Sequence, residues 1–196
     1  MEKNGFEVVY LPVDEYGTVS ADALREAVDD KTALVSVMYA NNEVGSILPI
    51  GEIGAVCRER GILFHTDAVQ AVGHLPVSVT EQNIDMLSLS AHKFHGPKGV
   101  GALYVKKGIL LTNLIEGGAQ ERGRRAGTEN VPAIVGMAAA LQEACDHIDE
   151  NAAKVSALRD KLISGLSKIP HSALNGDPVH RLPGNVNFCF EGIEGE

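Results

Sequence analysis

Short apolar runs, rich in β-branched residues, alternate with amphipathic stretches along the first hundred residues. The apolar runs predict strands at 6–11, 33–38, 62–65, 84–89 and 100–105. Between them the pattern predicts helices at 20–28, capped by Ser20, and at 49–60, ended by Gly61. Such alternation is typical of an α/β layer with a mainly parallel sheet flanked by helices. The run 33–38 is almost continuously apolar, which predicts a strand covered on both faces.

The pattern changes near Asn130. Pro132 suits a first helical turn, and apolar residues then recur at helical spacing up to Cys145. A second helix is predicted at about 151–166, where an apolar stripe indicates packing on a core, and a last strand follows Pro183. We therefore predict a partial large domain at 1–149 and the start of a small C-terminal α+β domain at 150–196. Because the chain stops soon after a strand, without a crossover, we expect it to be truncated.

The charge balance excludes some classes of partner. A formal net charge of −9 argues against a general nucleic-acid binder, since phosphate neutralisation needs clustered Lys and Arg. No apolar run approaches the roughly 18 residues of a membrane-spanning helix, and the first four residues begin no signal peptide. We therefore expect a cytoplasmic protein without a membrane partner.

Three cysteines, Cys57, Cys145 and Cys189, stand far apart and form no C-x-x-C pair. An odd, unpaired set fits a reducing compartment and excludes a disulfide framework. Each could be a nucleophile. Because free cysteines are so often buried, we interpret each as a small buried hydrophobe.

Polar groups follow four of the predicted strands, at 41–45, 65–70, 88–93 and 117–128. In open α/β sheets, ligands bind beyond the carboxyl ends of the strands. One such group would be weak evidence of a site. Four at successive strand ends indicate a single binding site.

The polar groups contain what pyridoxal phosphate requires of a protein: an amine, a carboxylate for the ring nitrogen, and small hydroxyl donors for the phosphate. Lys93 follows a strand interrupted by polar residues and has no obvious packing role, although a solvated lysine is the commoner state of any Lys. Near other cations in a partly buried pocket, its pKa would fall and make it a competent amine. Asp67 is placed for the ring nitrogen, with a helix N-cap as the alternative, and Gln70 could face the same ligand.

Other motif interpretations are weaker. The Gly-rich stretch 96–101 lacks the G-K-[ST] ending of a P-loop and the spacing of a dinucleotide site. Four histidines in the first hundred residues show no zinc-type spacing, so no metal site is predicted. The Arg-rich loop 121–128 is either a solvated loop, an RNA-contacting patch, or an anion site in which Thr128 reaches a phosphate.

Taken together, the motifs resemble cysteine desulfurases of the NifS/IscS type, which are class V, fold-type-I aminotransferase relatives. The resemblance covers essentially the whole chain in the family's order and spacing. It is carried by Asn-Asn-Glu-Val-Gly at 41–45, His-Thr-Asp-Ala-Val-Gln at 65–70, Ser-Ala-His-Lys at 90–93, Gly-Pro-Lys-Gly-Val-Gly-Ala-Leu-Tyr-Val at 96–105, and Gln-Glu-Arg-Gly-Arg-Arg-Ala-Gly-Thr at 120–128. It implies an incomplete fold-type-I transferase fold that binds pyridoxal phosphate.

The resemblance also assigns roles around the cofactor ring. Lys93 would be the catalytic residue that attaches the cofactor covalently, and Asp67 would pair with the ring nitrogen. Asn42 and Gln70 would contact the ring hydroxyl.

For the cofactor phosphate, the resemblance implies Ser90 and His92 from the same chain. Thr128 matches the residue that reaches the phosphate bound to the neighbouring subunit. The family therefore implies a homodimer that shares its two sites.

The family's reaction takes sulfur from L-cysteine, leaves L-alanine, and passes the sulfur through an enzyme persulfide. The partners implied are a sulfur-acceptor or iron–sulfur scaffold protein, with nucleic acid involved only indirectly through tRNA thiolation.

The family is longer at both ends, and the missing parts would supply the persulfide cysteine and an arginine for the substrate carboxylate. None of the three cysteines matches that loop position, so we expect the chain alone to be inactive as a desulfurase. Unpaired sheet edges would also make it poorly soluble. A selenocysteine lyase or other class V enzyme, and a non-catalytic remnant, remain as alternatives.

Overall fold

Four strands form the main sheet of the structure, a computed structural model that describes residues 2–194. They are β1 (Leu34–Met38), β2 (Leu63–Asp67), β3 (Met86–Ser90) and β4 (Gly101–Val105), in the spatial order β1-β2-β3-β4. The first three strands are parallel, and β4 pairs with β3 in the antiparallel sense. The mainly parallel sheet that the alternation predicts is confirmed.

Two helices cover one face of this sheet, namely α1 (Ala21–Ala27) and α2 (Ile50–Arg60). The Ser20 hydroxyl caps α1 by accepting the N–H of Ala23 at 3.0 Å, as predicted. Gly61 ends α2 in the left-handed conformation, with a φ of 69°, which a glycine adopts without a Cβ penalty. The core lies between these helices and the sheet, where Ile53 and Phe64 are fully buried.

The opposite face of the sheet is open within the part of the chain that the structure describes. Leu34, Met38 and Leu63 project from this face and are 38%, 41% and 38% exposed. The prediction that the run 33–38 is covered on both faces is therefore wrong. The reason is that the buried and exposed residues of β1 alternate, because α1 and α2 pack on one side only.

The second half is helical, with α3 (Gln120–Gly123), α4 (Val131–Asp146) and α5 (Ile148–Leu166). β5 (Ser172–Leu174) and β6 (Phe188–Phe190) form a separate antiparallel pair. The stripe on α5 was expected to pack on a core, but Leu158 and Leu162 are 62% and 51% exposed, so this expectation is wrong within residues 2–194. No helix among those residues combines the length and apolarity needed to cross a membrane.

The predicted strand at 6–11 does not form. No backbone hydrogen bond pairs this segment with another strand in the described chain, and Val9 and Tyr10 are 62% and 81% exposed. An extended segment becomes a strand only when a neighbour satisfies its N–H and C=O groups. The prediction of a strand at 6–11 is therefore wrong, since the described residues give this segment no partner strand.

The three cysteines differ in their surroundings. Cys57 on α2 is buried, as predicted, and burial together with the nearby Asp85 charge raises the pKa of its thiol to about 11. Cys145 on α4 and Cys189 on β6 are exposed, so the prediction that they are buried is wrong. Both lie on elements whose outward faces remain uncovered in the structure described.

Candidate functional site

The predicted site residues gather at the carboxyl ends of the parallel strands. Asp67 is the last residue of β2, and Ser90 is the last residue of β3. Asn42 lies on the loop that follows β1. His92 and Lys93 belong to a short 3₁₀ helix, Ala91–Phe94, that continues directly from β3. Because carboxyl ends of parallel strands meet at one edge, the structure brings these residues to the same edge of the sheet.

Asp67 and Ser90 project from the open face of the sheet. Side chains alternate along a strand, so His65 shares its face with Asp67, and Ser88 shares its face with Ser90. His65 Nε2 lies 2.9 Å from Ser88 Oγ, which places both pairs on one side. The open face therefore presents a carboxylate and a hydroxyl at its carboxyl end.

A row of three polar side chains crosses the open face, two residues before Asp67 on β2 and two residues before Ser90 on β3. Ser36 Oγ lies 2.8 Å from His65 Nδ1, and the Nε2 atom of the same ring contacts Ser88, so the row spans β1, β2 and β3. Burial lowers the pKa of His65, although the Asp67 charge opposes this shift. The imidazole is therefore held neutral near pH 7, with both nitrogens hydrogen-bonded.

The Asp67 carboxylate and the Lys93 amine have no ionic partner among residues 2–194. One Asp67 oxygen accepts the N–H of Val69 at 3.0 Å and so stabilises a turn. The alternative of a helix N-cap is confirmed only in part: the Val72 N–H donates to the Ala68 carbonyl at 3.0 Å, so residues 68–72 make one helical turn, but residues 69–74 form turns and no full helix follows. A carboxylate and a half-buried amine without partners are suited to a charged ligand.

His74 holds the backbone that carries Lys93. Its Nε2 atom lies 2.8 Å from the carbonyl oxygen of Lys93, so the ring donates this hydrogen bond. Gly73, with a φ of 81°, lets the turn after β2 approach Phe94 closely, since a Cβ at this position would lie 2.7 Å from the Phe94 Cβ. Ser90 Oγ also lies 2.8 Å from Nδ1 of His92. Nothing in the sequence distinguished His74 from the other histidines.

A cleft of about 690 Å³ opens beside this edge, between the turn after β2, α4, α5 and the segment 182–185. Asn42 and Gln70 both line it, as do His74 and His95. Asn185 lines the far side, and sequence reasoning missed it, because it was assigned only to the run leading into the last strand. In the chain from Glu2 to Glu194, no group of three or more His, Cys, Asp or Glu side chains could hold a metal ion.

Thr128 lies apart from the other predicted residues, on the exposed loop between α3 and α4. No hydrogen bond joins its side chain to another predicted site residue in the described part of the chain. The short α3 that precedes this loop has an unusual backbone, since Glu121 and Arg122 within it both have positive φ values, of 50° and 58°. Such conformations are costly for residues other than glycine, so the backbone of α3 departs from a regular helix.

Known proteins resemble this chain along its whole length. A sequence profile of the family described as "Aminotransferase class-V" matches residues 1–196. A protein named cysteine desulfurase IscS from Methanosarcina thermophila is 59% identical over 196 residues, which are 100% of this chain and 48% of that protein.

Solved structures agree with the sequence matches. A structure titled "NIFS-LIKE PROTEIN" superimposes with a TM-score of 0.94 at 43% identity, over 98% of this chain and 53% of that one. A structure titled "SspA in complex with cysteine" gives a TM-score of 0.70 at 47% identity, over 72% of this chain and 41% of that one.

These comparisons confirm the fold-type-I α/β architecture that the sequence predicted. The chain spans about half the length of the curated relatives it matches, namely 48% and 50% of the first two. The family profile matches this chain from residue 1 to residue 196. The chain belongs to the aminotransferase class-V family.

Proposed function

We propose that this chain carries the pyridoxal phosphate site of a cysteine desulfurase, whose whole protein takes sulfur from L-cysteine and leaves L-alanine. The observation that carries the proposal is the pair of charges without ionic partners, Lys93 and Asp67, at the same ends of neighbouring strands. Identity of 59% to a protein named cysteine desulfurase supports it, as does the likeness to a structure containing cysteine.

The residues at the carboxyl edge of the sheet fit the ring of pyridoxal phosphate. The Asp67 carboxylate is exposed and has no ionic partner in the described chain, which suits a protonated ring nitrogen. Asn42 and Gln70 line the cleft with amide groups that could address the ring hydroxyl. Lys93 is half-buried at the same edge and would attach the cofactor.

The phosphate would be held by Ser90 and His92, which already contact each other at 2.8 Å. Thr128 lies on an exposed loop, and there it would contact the phosphate bound to a second copy of the chain. The preceding segment 109–115 supports a homodimer, since Leu110 and Leu114 are each 95% exposed. Exposed apolar side chains of this size are typical of a protein interface. Sedimentation of the chain at several concentrations tests the homodimer, and a monomer throughout would contradict it.

Bound pyridoxal phosphate supplies an electron sink for the α-carbon of an amino acid. The Asp67 carboxylate would hold the proton on the ring nitrogen by its negative charge. Lys93 Nζ would hold the cofactor and, as a free amine, would move the proton of the substrate α-carbon. The hydrogen bond from His74 to the Lys93 carbonyl fixes the backbone from which this amine acts.

We extend the proposal to the setting of the whole protein. Residues 1–149 would form part of the cofactor-binding domain, and residues 150–196 would begin the small domain, of which 195 and 196 lie outside the described residues. The protein would act in the cytoplasm and pass sulfur to an acceptor or iron–sulfur scaffold protein. The name cysteine desulfurase IscS of the relatives supports the transfer of sulfur.

Borohydride reduction tests the cofactor site directly. The 196-residue chain is mixed with pyridoxal phosphate, reduced, digested, and analysed by mass spectrometry for the labelled lysine. The expected label is confined to Lys93 and disappears in Lys93→Ala. Lys98→Ala is the matched control, because Lys98 is an exposed lysine five residues further along the same turn. Labelling spread over many lysines, or unchanged in Lys93→Ala, contradicts the proposal.

We also propose that the 196-residue chain by itself releases no sulfide from cysteine. The Cys57 thiol is buried, and its pKa of about 11 keeps it protonated at neutral pH. The exposed thiols of Cys145 and Cys189 do not line the cleft. A colorimetric sulfide assay would contradict this if release exceeded that of free pyridoxal phosphate.

A further inference from the structure

Arg181 is a buried cation that none of the predicted site residues includes. It is only 3% exposed. Its guanidinium donates to five oxygens at 2.9–3.3 Å. The acceptors are the carbonyl oxygens of Val44, Asn175, Asp177 and Asn185, and the side-chain oxygen of Asn185.

All five acceptors are neutral, and no carboxylate forms a salt bridge with Arg181 among residues 2–194. Burial, followed by the positive charge of Arg159, lowers the pKa of Arg181 from its ordinary value. A buried charge is tolerated only when its hydrogen bonds are satisfied. Those bonds join two distant segments, since Arg181 and Val44 are 137 residues apart in sequence.

The contacts continue from Arg181 to the cleft through Asn185. The Asn185 side-chain oxygen accepts from Arg181 at 3.3 Å, which fixes the direction of the amide. The nitrogen of that amide therefore faces the loop after β1 and donates to the carbonyl oxygens of Asn42 and Glu43, each at 3.1 Å. Asn42 and Asn185 both line the cleft.

The loop is fitted closely against this amide. Gly45, with a φ of 82°, allows the approach, because a Cβ there would lie 2.5 Å from the Asn185 side-chain oxygen. The Leu182 N–H donates to the Gly45 carbonyl at 2.8 Å, and Asn187 donates to the Glu43 carbonyl at 3.1 Å. The loop position therefore depends on the segment that Arg181 organises.

We propose that Arg181 is a positioning residue for the cleft: it orients Asn185, which holds the loop that presents Asn42. Arg181 contacts neither the predicted amine nor the predicted carboxylate, so its effect is transmitted through Asn185. The cofactor part of this inference rests on the proposed function. The loop-holding part rests on the hydrogen bonds alone.

Amide hydrogen exchange of the 196-residue chain tests the loop-holding part without cofactor. The loop is closed by hydrogen bonds from the Asn41 N–H to Ser46 and from the Gly45 N–H to Asn41, so peptides spanning 41–46 report its opening. Arg181→Met is expected to speed their exchange about tenfold, because buried acceptors and the Asn185 amide lose a charged partner. Arg181→Lys should restore part of the protection, since an ammonium group still donates.

Arg159→Met is the matched control. Arg159 donates to the carbonyl oxygens of Arg181 and Leu182 at 3.5 and 3.2 Å, but has no hydrogen bond to the loop 41–46. Its loss should leave exchange in that loop unchanged. Equal acceleration in Arg159→Met and Arg181→Met, or none in either, overturns the proposal.

Asn185→Asp keeps the inference testable if Arg181→Met fails to fold. The carboxylate still accepts from Arg181 but has no N–H to donate to the loop. Faster exchange at 41–46 in a folded Asn185→Asp variant is the expected result. Unchanged exchange in that variant shows that Asn185 does not hold the loop and overturns the proposal.

The visible absorbance of the chain loaded with pyridoxal phosphate gives a second readout. Asn42→Ala should shift the band or its pH titration, and Arg181→Met should shift it in the same direction. The double variant should show the same shift as Asn42→Ala alone, because Arg181 acts on the cofactor only through the position of the Asn42 amide. An Asn42→Ala shift without an Arg181→Met shift overturns the inference. If the chain binds no cofactor, the proposed function fails, and the exchange experiment alone decides the role of Arg181.

Discussion

Replacing Gly45 by alanine should destabilise the chain through two separate effects. Gly45 has a φ of 82°, and an L-residue in this left-handed region costs about 1–2 kcal/mol. The new Cβ would also lie 2.5 Å from the Asn185 side-chain oxygen, so Asn185 must move. That movement breaks two hydrogen bonds to loop carbonyls, worth about 1 kcal/mol each. The expected loss in unfolding free energy is therefore about 3–4 kcal/mol.

A double-mutant cycle separates the two effects. In an Asn185→Gly background the clashing side chain, including its Cβ, and its hydrogen bonds are already gone, so Gly45→Ala should cost only the backbone strain of about 1–2 kcal/mol. The coupling energy between the two positions should then be about 2 kcal/mol. Urea unfolding followed by circular dichroism supplies all four free energies.

Gly51→Ala is the control for a glycine without such a neighbour. Gly51 lies in the first turn of α2, and a Cβ there would meet no atom within 4 Å. Alanine should therefore be neutral or stabilise the helix by up to about 1 kcal/mol. The reasoning is refuted if Gly45→Ala costs the same with and without Asn185, since the clash would then contribute nothing.

Three further predictions concern other parts of the molecule. Iodoacetamide at pH 8 should label Cys145 and Cys189 but leave Cys57 unlabelled until urea is added, as mass spectrometry of peptides can show. Phe64→Ala, which empties a fully buried position, should lower the unfolding free energy by about 3–5 kcal/mol in urea titrations. Because burial lowers the pKa of His65, the unfolded chain binds more protons just below pH 6.5, so stability should fall as the pH drops through this range. His65→Gln should flatten that slope, and an unchanged slope would assign it to other groups.

Local patterns in the sequence predicted most of the main sheet. The apolar runs located all four strands, and the Ser20 and Gly61 caps were confirmed at the ends of α1 and α2. These features depend on neighbouring residues, so a local pattern is sufficient to find them. The segment 6–11 failed because strand formation depends on a partner elsewhere in the chain, which no local pattern records.

The placement of Asp67 and Lys93 at one edge of the sheet was predictable, because both lie at or just after strand ends in the sequence. The placement of Asn185 and Arg181 was not, because both reach the loop after β1 from more than 130 residues away. A polar residue in a short alternating run gives no sign of which distant carbonyl it will meet. The exposure of Cys145 and Cys189 was missed for a similar reason, since burial depends on what packs over an element.

The hydrogen-bonded row of Ser36, His65 and Ser88 can carry its protons in two arrangements. A serine hydroxyl can donate or accept, so the row is fully hydrogen-bonded whichever ring nitrogen of His65 carries the hydrogen. Rotating the two hydroxyls and exchanging the tautomer reverses the direction of the row while every heavy atom stays in place. The sheet therefore contains, two residues before Asp67, a dipole whose sign can invert without any rearrangement of the fold.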